Sequence, residues 1–366
     1  LEAAAKMAED LLAPINQNGD LEGCHFDAGV VTTPQGFKKA FKALSEGGWP
    51  GLTGNVDYGG QGMPTALSAL LEEMAFAANS SFALYTVLTT AVAHSLSRLG
   101  STELKDKYLS KLYEGSCMGS MCLTEAHAGT DLGMIRTRAV PAADGSYEIS
   151  GTKIFITAVE HDLTENIIHL VLAKLPDAPA GARGISLFLV PKFMPDGEGN
   201  PGQRNQVECG SIEHKMGIRA SATCVLNFDA AKGYLVGEVN KGMSNMFTLM
   251  NYARLSMGIQ GNGLADASYQ VASAYAKERI QGRSPSGPQQ ADKAADPILV
   301  HPDVMRMLLT IRSNVVAGRA LSMYAAMQLD ISRSHPDADA RMKAEQLVAL
   351  LIPVQKAYCT DRGFEA

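Results

Sequence analysis

Apolar positions over the first third of the chain recur at a helical period. Leu67, Leu70, Leu71 and Met74 share one face, Leu104, Tyr108 and Leu112 another, and Gly115 is placed to end the second run. From about residue 116 to 240 the period shortens. SCMGSMCLTE, SYEISGTKIFIT, NIIHLVLAKL, GISLFLVPKF and TCVLNFDAA are short runs rich in β-branched and aromatic residues, separated by PAADG, PDAPAGARG and PDGEGNPGQ, which have turn chemistry. No long helical pattern interrupts them, so the pattern predicts an antiparallel barrel or sandwich and excludes an alternating β–α unit. A long helix returns at about 241–280 with Met243, Met246, Phe247, Met250 and Met257 on one stripe. SPSGPQQADKAADP (284–297) breaks it as an exposed loop, and further helices start near 302 and 340. The order is α, then β, then α, giving an N-terminal helical domain over 1–115, a middle β domain over 116–240 and a C-terminal helical domain over 241–366. The opening LEAAAKMAEDLLAPI reads as an amphipathic helix already in progress, so the natural N-terminus is expected to lie before Leu1.

Composition sharpens this picture. Apolar residues make up 46% of the 366 residues and charged residues only 19%, below the roughly 25% usual in soluble domains, which calls for a large buried core. Lys and Arg number 32 against 38 Asp and Glu, a formal charge of −6 without a basic cluster, and this excludes nucleic acid as the main partner. The longest stretch without Asp, Glu, Lys or Arg, Met74 to Ser97, is studded with Asn, Ser and Thr and reads as a core helix, with no membrane span expected. Six cysteines without a CxxC pair imply reduced, buried thiols, a cytoplasmic setting and no structural metal.

The familiar chemical motifs are missing: there is no GxxxxGK[ST], HExxH or GxSxG. Gly258, Gly261 and Gly263 fall inside a helical pattern and read as close helix packing, and YGGQG (58–62) as a tight turn. Glu160-His161-Asp162 suits a surface or hydrogen-bonding role, since neighbours on a strand face opposite ways. Leu84, Tyr85 and Leu88 are either helix core or the wall of a pocket. What remains is MCLTEAHAGTD (121–131), GTKIFITAVEHD (151–162), EHKMGIRASAT (213–223) and YAKERIQGRSP (275–285). A strand that ends in Leu-Thr-Glu before a Gly-containing turn offers backbone N–H groups and a hydroxyl, donors that suit the edge of a flavin where negative charge develops on reduction.

Together these four segments resemble the acyl-CoA dehydrogenase family over nearly the whole chain. LTEAHAGTD is similar to the family's TEP-x-AGSD, with Ala126-His127 in place of the usual Pro; KIFIT to K-x-W-I-T; HKMGIRASAT to KMGxRxSxT; and YAKERIQGR to YAxxRxQFGR. The run from Gly151 to Phe193 resembles a larger bacterial branch that includes 3-methylmercaptopropionyl-CoA and fatty acyl-CoA dehydrogenases. The resemblance implies FAD as cofactor and an acyl-CoA as substrate, desaturated to a trans-2-enoyl-CoA, with electrons passing to an electron-transfer flavoprotein. It implies that Leu123 and Thr124 bind the flavin pyrimidine edge, that Thr157 lies near flavin N5 and that Phe155 stands for a tryptophan packed on the ring. Gly129 and Thr130 would lie near the thioester, Arg254 near the CoA nucleotide, Arg279 at the flavin pyrophosphate of a neighbouring subunit in a homodimer or homotetramer, and His301 near the adenosine. No catalytic residue is assigned. One family position for the base Glu is Ala253 here, the other is expected beyond residue 366, and Glu365 is not it. An acyl-CoA oxidase and a flavin-binding scaffold without a base are the competing readings; the scaffold relatives are basic, which −6 opposes.

Overall fold

The computed structural model describes residues 1–196 and 200–366; Gly197–Gly199 of the predicted PDGEGNPGQ turn lie outside the described residues. The first helical stretch comprises α1 (Glu2–Met7), α2 (Asn16–Glu22), α3 (Phe37–Glu46), α4 (Thr65–Leu99) and α5 (Thr102–Glu114), with a small hairpin, β1 (His25–Asp27) and β2 (Val30–Thr32), between α2 and α3. The middle stretch holds β3 (Cys117–Cys122), β4 (Arg138–Pro141), β5 (Tyr147–Thr157), β6 (Asn166–Lys174), β7 (Ile185–Pro191), β8 (Phe193–Pro195), β9 (Pro201–Arg204), β10 (Val207–Ile212) and β11 (Thr223–Leu235). Helices α6 (Gly242–Glu278), α7 (Pro302–Ser334) and α8 (Ala338–Glu365) complete the chain. The α, β, α order follows the predicted one.

Local chemistry sets the boundaries. Ser101 caps α5 by accepting a hydrogen bond from the Leu104 N–H at 3.3 Å, and Gly115 ends it with φ of 80°, a conformation glycine takes without steric cost. The YGGQG segment is the tight turn its composition implies. A Cβ on Gly60 would stand 2.1 Å from the Gly54 carbonyl carbon, and the N–H groups of Gly60, Gln61 and Gly62 bond back to Asn55, Gly51 and Gly54.

The chain divides into two compact units: residues 1–8, 65–80 and 254–366 form one, residues 9–64 and 81–253 the other. The second is built on a seven-stranded sheet. Pairings run β6–β7–β11–β5–β4 and return from β4 to β6 through Arg138 and Lys174, so five strands pair in a ring, with β3 added to β6 and β10 to β11. The sheet is not wholly antiparallel as predicted: β3 runs parallel to β6, and the β4–β6 closure is parallel too. β3 reaches β6 only after a long connection, which permits a parallel pairing that a hairpin cannot make. β6 is also buried along both faces and lacks the alternation that would betray its orientation. The second half of α4 packs on this sheet. Gly119 comes so near that its Cβ would lie 2.5 Å from Val92, while its N–H donates to the Thr89 hydroxyl at 3.1 Å. Leu84, Tyr85 and Leu88 are buried there as core, and Tyr85 bridges the backbone by donating to the Ala220 carbonyl (3.2 Å) and accepting from the Ala222 N–H (3.1 Å). Trp49, the chain's one tryptophan, sits half-buried in a short 3₁₀ turn of the same unit.

In the helical unit the predicted glycine packing is present. A Cβ on Gly258 would meet the Gln355 side chain at 2.3 Å, one on Gly261 the Cys359 carbonyl oxygen at 2.5 Å, and one on Gly263 the Glu73 carbonyl oxygen at 2.7 Å. α6 thus touches α8 and the start of α4 backbone to backbone. The Met stripe of α6, whose first part up to Ala253 belongs to the other unit, is less regular than its spacing: Met246 is buried, but Phe247 is 46% exposed. α4 has the length and hydropathy to cross a bilayer, yet 72% of its most apolar window is buried within the fold, as in a core helix. Five of the six cysteines are buried, Cys24 is half-buried, and all are free thiols.

Gly261→Ala should therefore destabilise the protein by roughly 1–3 kcal/mol through overpacking against a backbone oxygen. Gly217→Ala, where a Cβ meets nothing within 4 Å, should stay within about 0.5 kcal/mol. Urea unfolding followed by circular dichroism measures both.

Candidate functional site

The MCLTEAHAGTD segment is held to β5 by a buried ion pair. Lys153 is wholly buried on β5, and its Nζ donates to Glu125 Oε1 at 2.9 Å and to the Leu123 carbonyl at 2.9 Å. Glu125 also accepts from the Arg136 N–H (2.7 Å), the Thr137 N–H (3.1 Å) and the Thr137 hydroxyl (2.6 Å). Burial opposes the charge of this carboxyl, but Lys153 and these hydrogen bonds outweigh it and hold its pKa down to about 2. The Thr124 carbonyl accepts from the Ile154 N–H at 2.9 Å, and Glu125 and Ala128 exchange backbone hydrogen bonds across Ala126-His127. His127 places Nε2 3.2 Å from the Met134 carbonyl oxygen, tying the turn to the end of the loop. Leu123 and Thr124 are half-buried and Gly129 and Thr130 exposed on this loop, with Gly129 turned toward the Thr124 methyl group.

A register break on β5 sets the orientation of the next residues. Lys153 pairs with Leu226 and Ile156 with Cys224, so three steps on β5 oppose two on β11. Inward parity runs through Ile149 and Lys153; continued without interruption it would bury Phe155. The bulge moves Ile156 inward instead and leaves Phe155 at φ of 57° and 60% exposed. Thr157 pairs with Thr223, and the Ala158 N–H donates to Ala222, so KIFIT adjoins HKMGIRASAT. Lys215 secures that segment by donating to the Thr223 hydroxyl at 2.9 Å and to the Ser221 carbonyl. Three of the four motif segments thus join edge to edge. The hydroxyls of Thr124 and Thr157 have no hydrogen-bond partner among the described residues.

Glu160-His161-Asp162 does not lie on a strand or on the surface as predicted. It follows β5, with Glu160 and His161 buried, and its role is hydrogen bonding: Glu160 pairs with Lys192 at 2.5 Å, His161 Nδ1 accepts from the Leu163 N–H, and Asp162 accepts from Thr33. Burial and the Lys192 charge press the His161 pKa down to about 3, so the imidazole is neutral.

The remaining predicted residues belong to the helical unit. Arg254 lies half-buried on α6, next to the buried Ala253 of the other unit. Arg279 follows the end of α6; its guanidinium is exposed and has no partner among the described residues. The loop after it is exposed along most of its length, as predicted, but it is folded around one carboxylate that the sequence did not single out. Asp296 is wholly buried and accepts from the N–H groups of Ser284 (3.0 Å), Gln289 (2.9 Å) and Gln290 (2.8 Å), with Arg283 at 3.3 Å. The backbone hydrogen bonds hold its pKa below the usual carboxylate range. His301 lies beside Gly282, its Nε2 2.7 Å from the Gln281 carbonyl oxygen, so Arg279 and His301 share one ordered turn.

Comparison with known proteins decides the family. The acyl-CoA dehydrogenase N-terminal domain matches residues 1–116, and the acyl-CoA dehydrogenase middle domain residues 120–231. The chain belongs to the acyl-CoA dehydrogenase family. Among curated relatives, the 3-methylmercaptopropionyl-CoA dehydrogenase of Ruegeria pomeroyi is 45% identical over 365 residues, which cover all of this chain and 61% of that protein. The chain thus spans about three-fifths of the length of such relatives. Among solved structures, the fold matches butyryl-CoA dehydrogenase from Megasphaera elsdenii at a TM-score of 0.74 and 25% identity, covering 98% of this chain and 87% of the other. A chain from the structure titled electron transferring flavoprotein of Acidaminococcus fermentans matches at 0.76 and 25%, covering 98% and 85%.

Glu125→Gln should cost about 3–5 kcal/mol, because it leaves the buried Lys153 ammonium without a counter-charge, and Lys153→Met added to it should recover much of the loss. The Glu125 contribution is fully present above the carboxyl's unfolded pKa of about 4.3 and is lost as pH falls toward about 2. Acid titration of unfolding should therefore be shallower in Glu125→Gln than in the wild type between those values.

Proposed function

We propose that this acyl-CoA dehydrogenase family member binds FAD and takes part in the α,β-desaturation of an acyl-CoA thioester to a trans-2-enoyl-CoA, in the cytoplasm and as a homodimer or homotetramer. The observation that carries the reading is the edge-to-edge joining of the LTE loop, the Phe155 bulge and the RASAT segment, which leaves an exposed aromatic ring and two hydroxyls without a partner among the described residues. That set fits a flavin: hydroxyl and backbone donors for the polar edge, and an apolar face for the ring. Leu123 and Thr124 hold the pyrimidine edge, Thr157 stands by N5 and Phe155 packs against the ring. Arg279 and His301 serve the pyrophosphate and adenosine, the former from a neighbouring subunit, while Gly129, Thr130 and Arg254 serve the thioester end and the CoA nucleotide. FAD, when bound, would supply the oxidising power for the desaturation, and an electron-transfer flavoprotein is the electron acceptor we assign to the reaction. The carboxylate that takes the α-proton lies outside this set, since Ala253 carries no acid.

The acyl group we favour is 3-methylmercaptopropionyl, on the 45% identity to the Ruegeria enzyme; the butyryl-CoA dehydrogenase neighbour makes short linear chains the comparison substrate. With the whole protein, reduction of an electron-transfer flavoprotein supports a dehydrogenase, whereas oxygen consumption in its place makes it an oxidase.

Thr124→Val should weaken FAD binding by roughly 1–3 kcal/mol, the cost of leaving a buried flavin acceptor without its donor, as read by titrating FAD fluorescence. An unchanged affinity would reduce Thr124 to strand packing, and a wild-type protein that takes up no FAD would end the reading. Light scattering of the FAD-loaded protein should give at least a dimer.

A further inference from the structure

The segment that carries Arg279 is built differently from a simple helix end. The Ile298 N–H donates to the Arg279 carbonyl at 2.8 Å, the Gln281 N–H to the Asp296 carbonyl at 2.9 Å, and the Asp296 N–H to the Gly282 carbonyl at 2.9 Å, with Ile280 bridged to Pro297. Residues 279–282 are therefore clamped against 296–298. What brings the far strand of that clamp back is the Asp296 side chain. Its two oxygens collect three backbone N–H groups and one guanidinium from residues 283–290. Arg283, which could compete for an anion, is occupied by Asp296 and by the Gln290 and Lys293 carbonyls. Arg279 projects from the clamp with a guanidinium that has no partner among the described residues.

We propose that Asp296 is a positioning residue for cofactor binding: its buried carboxylate folds the 283–297 loop onto 279–282 and thereby fixes the Arg279 guanidinium for the FAD pyrophosphate. The inference rests on the reading of Arg279 given above. A guanidinium on a frayed helix end must be ordered at the moment of binding, and that ordering subtracts from affinity; one presented by a clamped turn has already been ordered during folding. Asp296 makes no contact with the cofactor in this account and acts only through the backbone at 279–282.

A double-mutant cycle on the FAD-binding protein tests it, with FAD affinity read by flavin fluorescence and amide exchange read over 279–301. Arg279→Ala should weaken FAD about tenfold or more. Asp296→Asn, which keeps the shape and one acceptor oxygen while losing the charge, should weaken FAD severalfold and speed exchange at Gln281, Asp296 and Ile298. The double variant should be no weaker than Arg279→Ala. Losses that add in full would mean that Asp296 acts independently of Arg279 and would overturn the proposal, as would wild-type affinity in Asp296→Asn. If Arg279→Ala itself binds FAD normally, the assignment of Arg279 fails, and that result is distinct from a failure of Asp296 alone. Should Asp296→Asn fold poorly, Ser284→Pro, which removes one N–H donor to Asp296 without changing any charge, should produce the same exchange pattern and a smaller loss.

Discussion

A lysine ammonium buried in a β-sheet has no water to turn to, and the arrangement of the β unit around Lys153 follows from that constraint. Its charge is met by Glu125 and the Leu123 carbonyl, both on the segment that leaves β3. Satisfying Lys153 therefore fixes where that segment runs. Glu125, itself buried, then needs further donors and takes them from Arg136 and Thr137, which pins the far end of the same loop. Between the two anchors, the loop 126–134 carries Gly129 and Thr130 on its exposed side, while Ala128 turns inward. Such a pair adds little net stability over an apolar substitute of the same volume, because both ions are stripped of water. What it contributes is a single loop path, since any other path leaves a charge alone.

Much of the architecture was legible from period alone. Helical spacing before residue 115 and after 241, and short β-like runs between, are strong signals when apolar residues dominate a chain. Parallel pairing of β3 with β6 was not, because a strand buried on both faces carries no alternation from which its orientation could be read. Lys153 left a trace that can be recovered: it occupies the inward parity of β5 with Ile149, a position where a charge demands a partner. The identity of that partner, 28 residues earlier in the chain, had no local signal.

The candidate site was legible in a different way. Thr124, Phe155, Thr157, Arg279 and His301 are ordinary residues one at a time, and only their joint resemblance to a family singled them out. That Phe155 projects from the sheet depends on a bulge and a positive φ, neither of which a phenylalanine announces. Asp296 was equally hidden. Asp292 lies four residues before it in the same polar loop, and nothing in composition says which of the two turns inward. The deciding facts are hydrogen bonds to backbone N–H groups, which belong to the fold and not to the side-chain sequence.

The position of Trp49 has a spectroscopic consequence. As the sole indole in the chain, it belongs to the unit formed by residues 9–64 and 81–253, whereas α7, α8 and most of α6 belong to the other. Ultraviolet-excited emission from tryptophan is therefore a local reporter: it follows the environment of the β-containing unit and is nearly blind to melting of the terminal helices. Backbone ellipticity, weighted by those long helices, follows the other unit more closely. Coincidence of the two signals during unfolding would establish that the units melt as one cooperative body, and separation would resolve them as two.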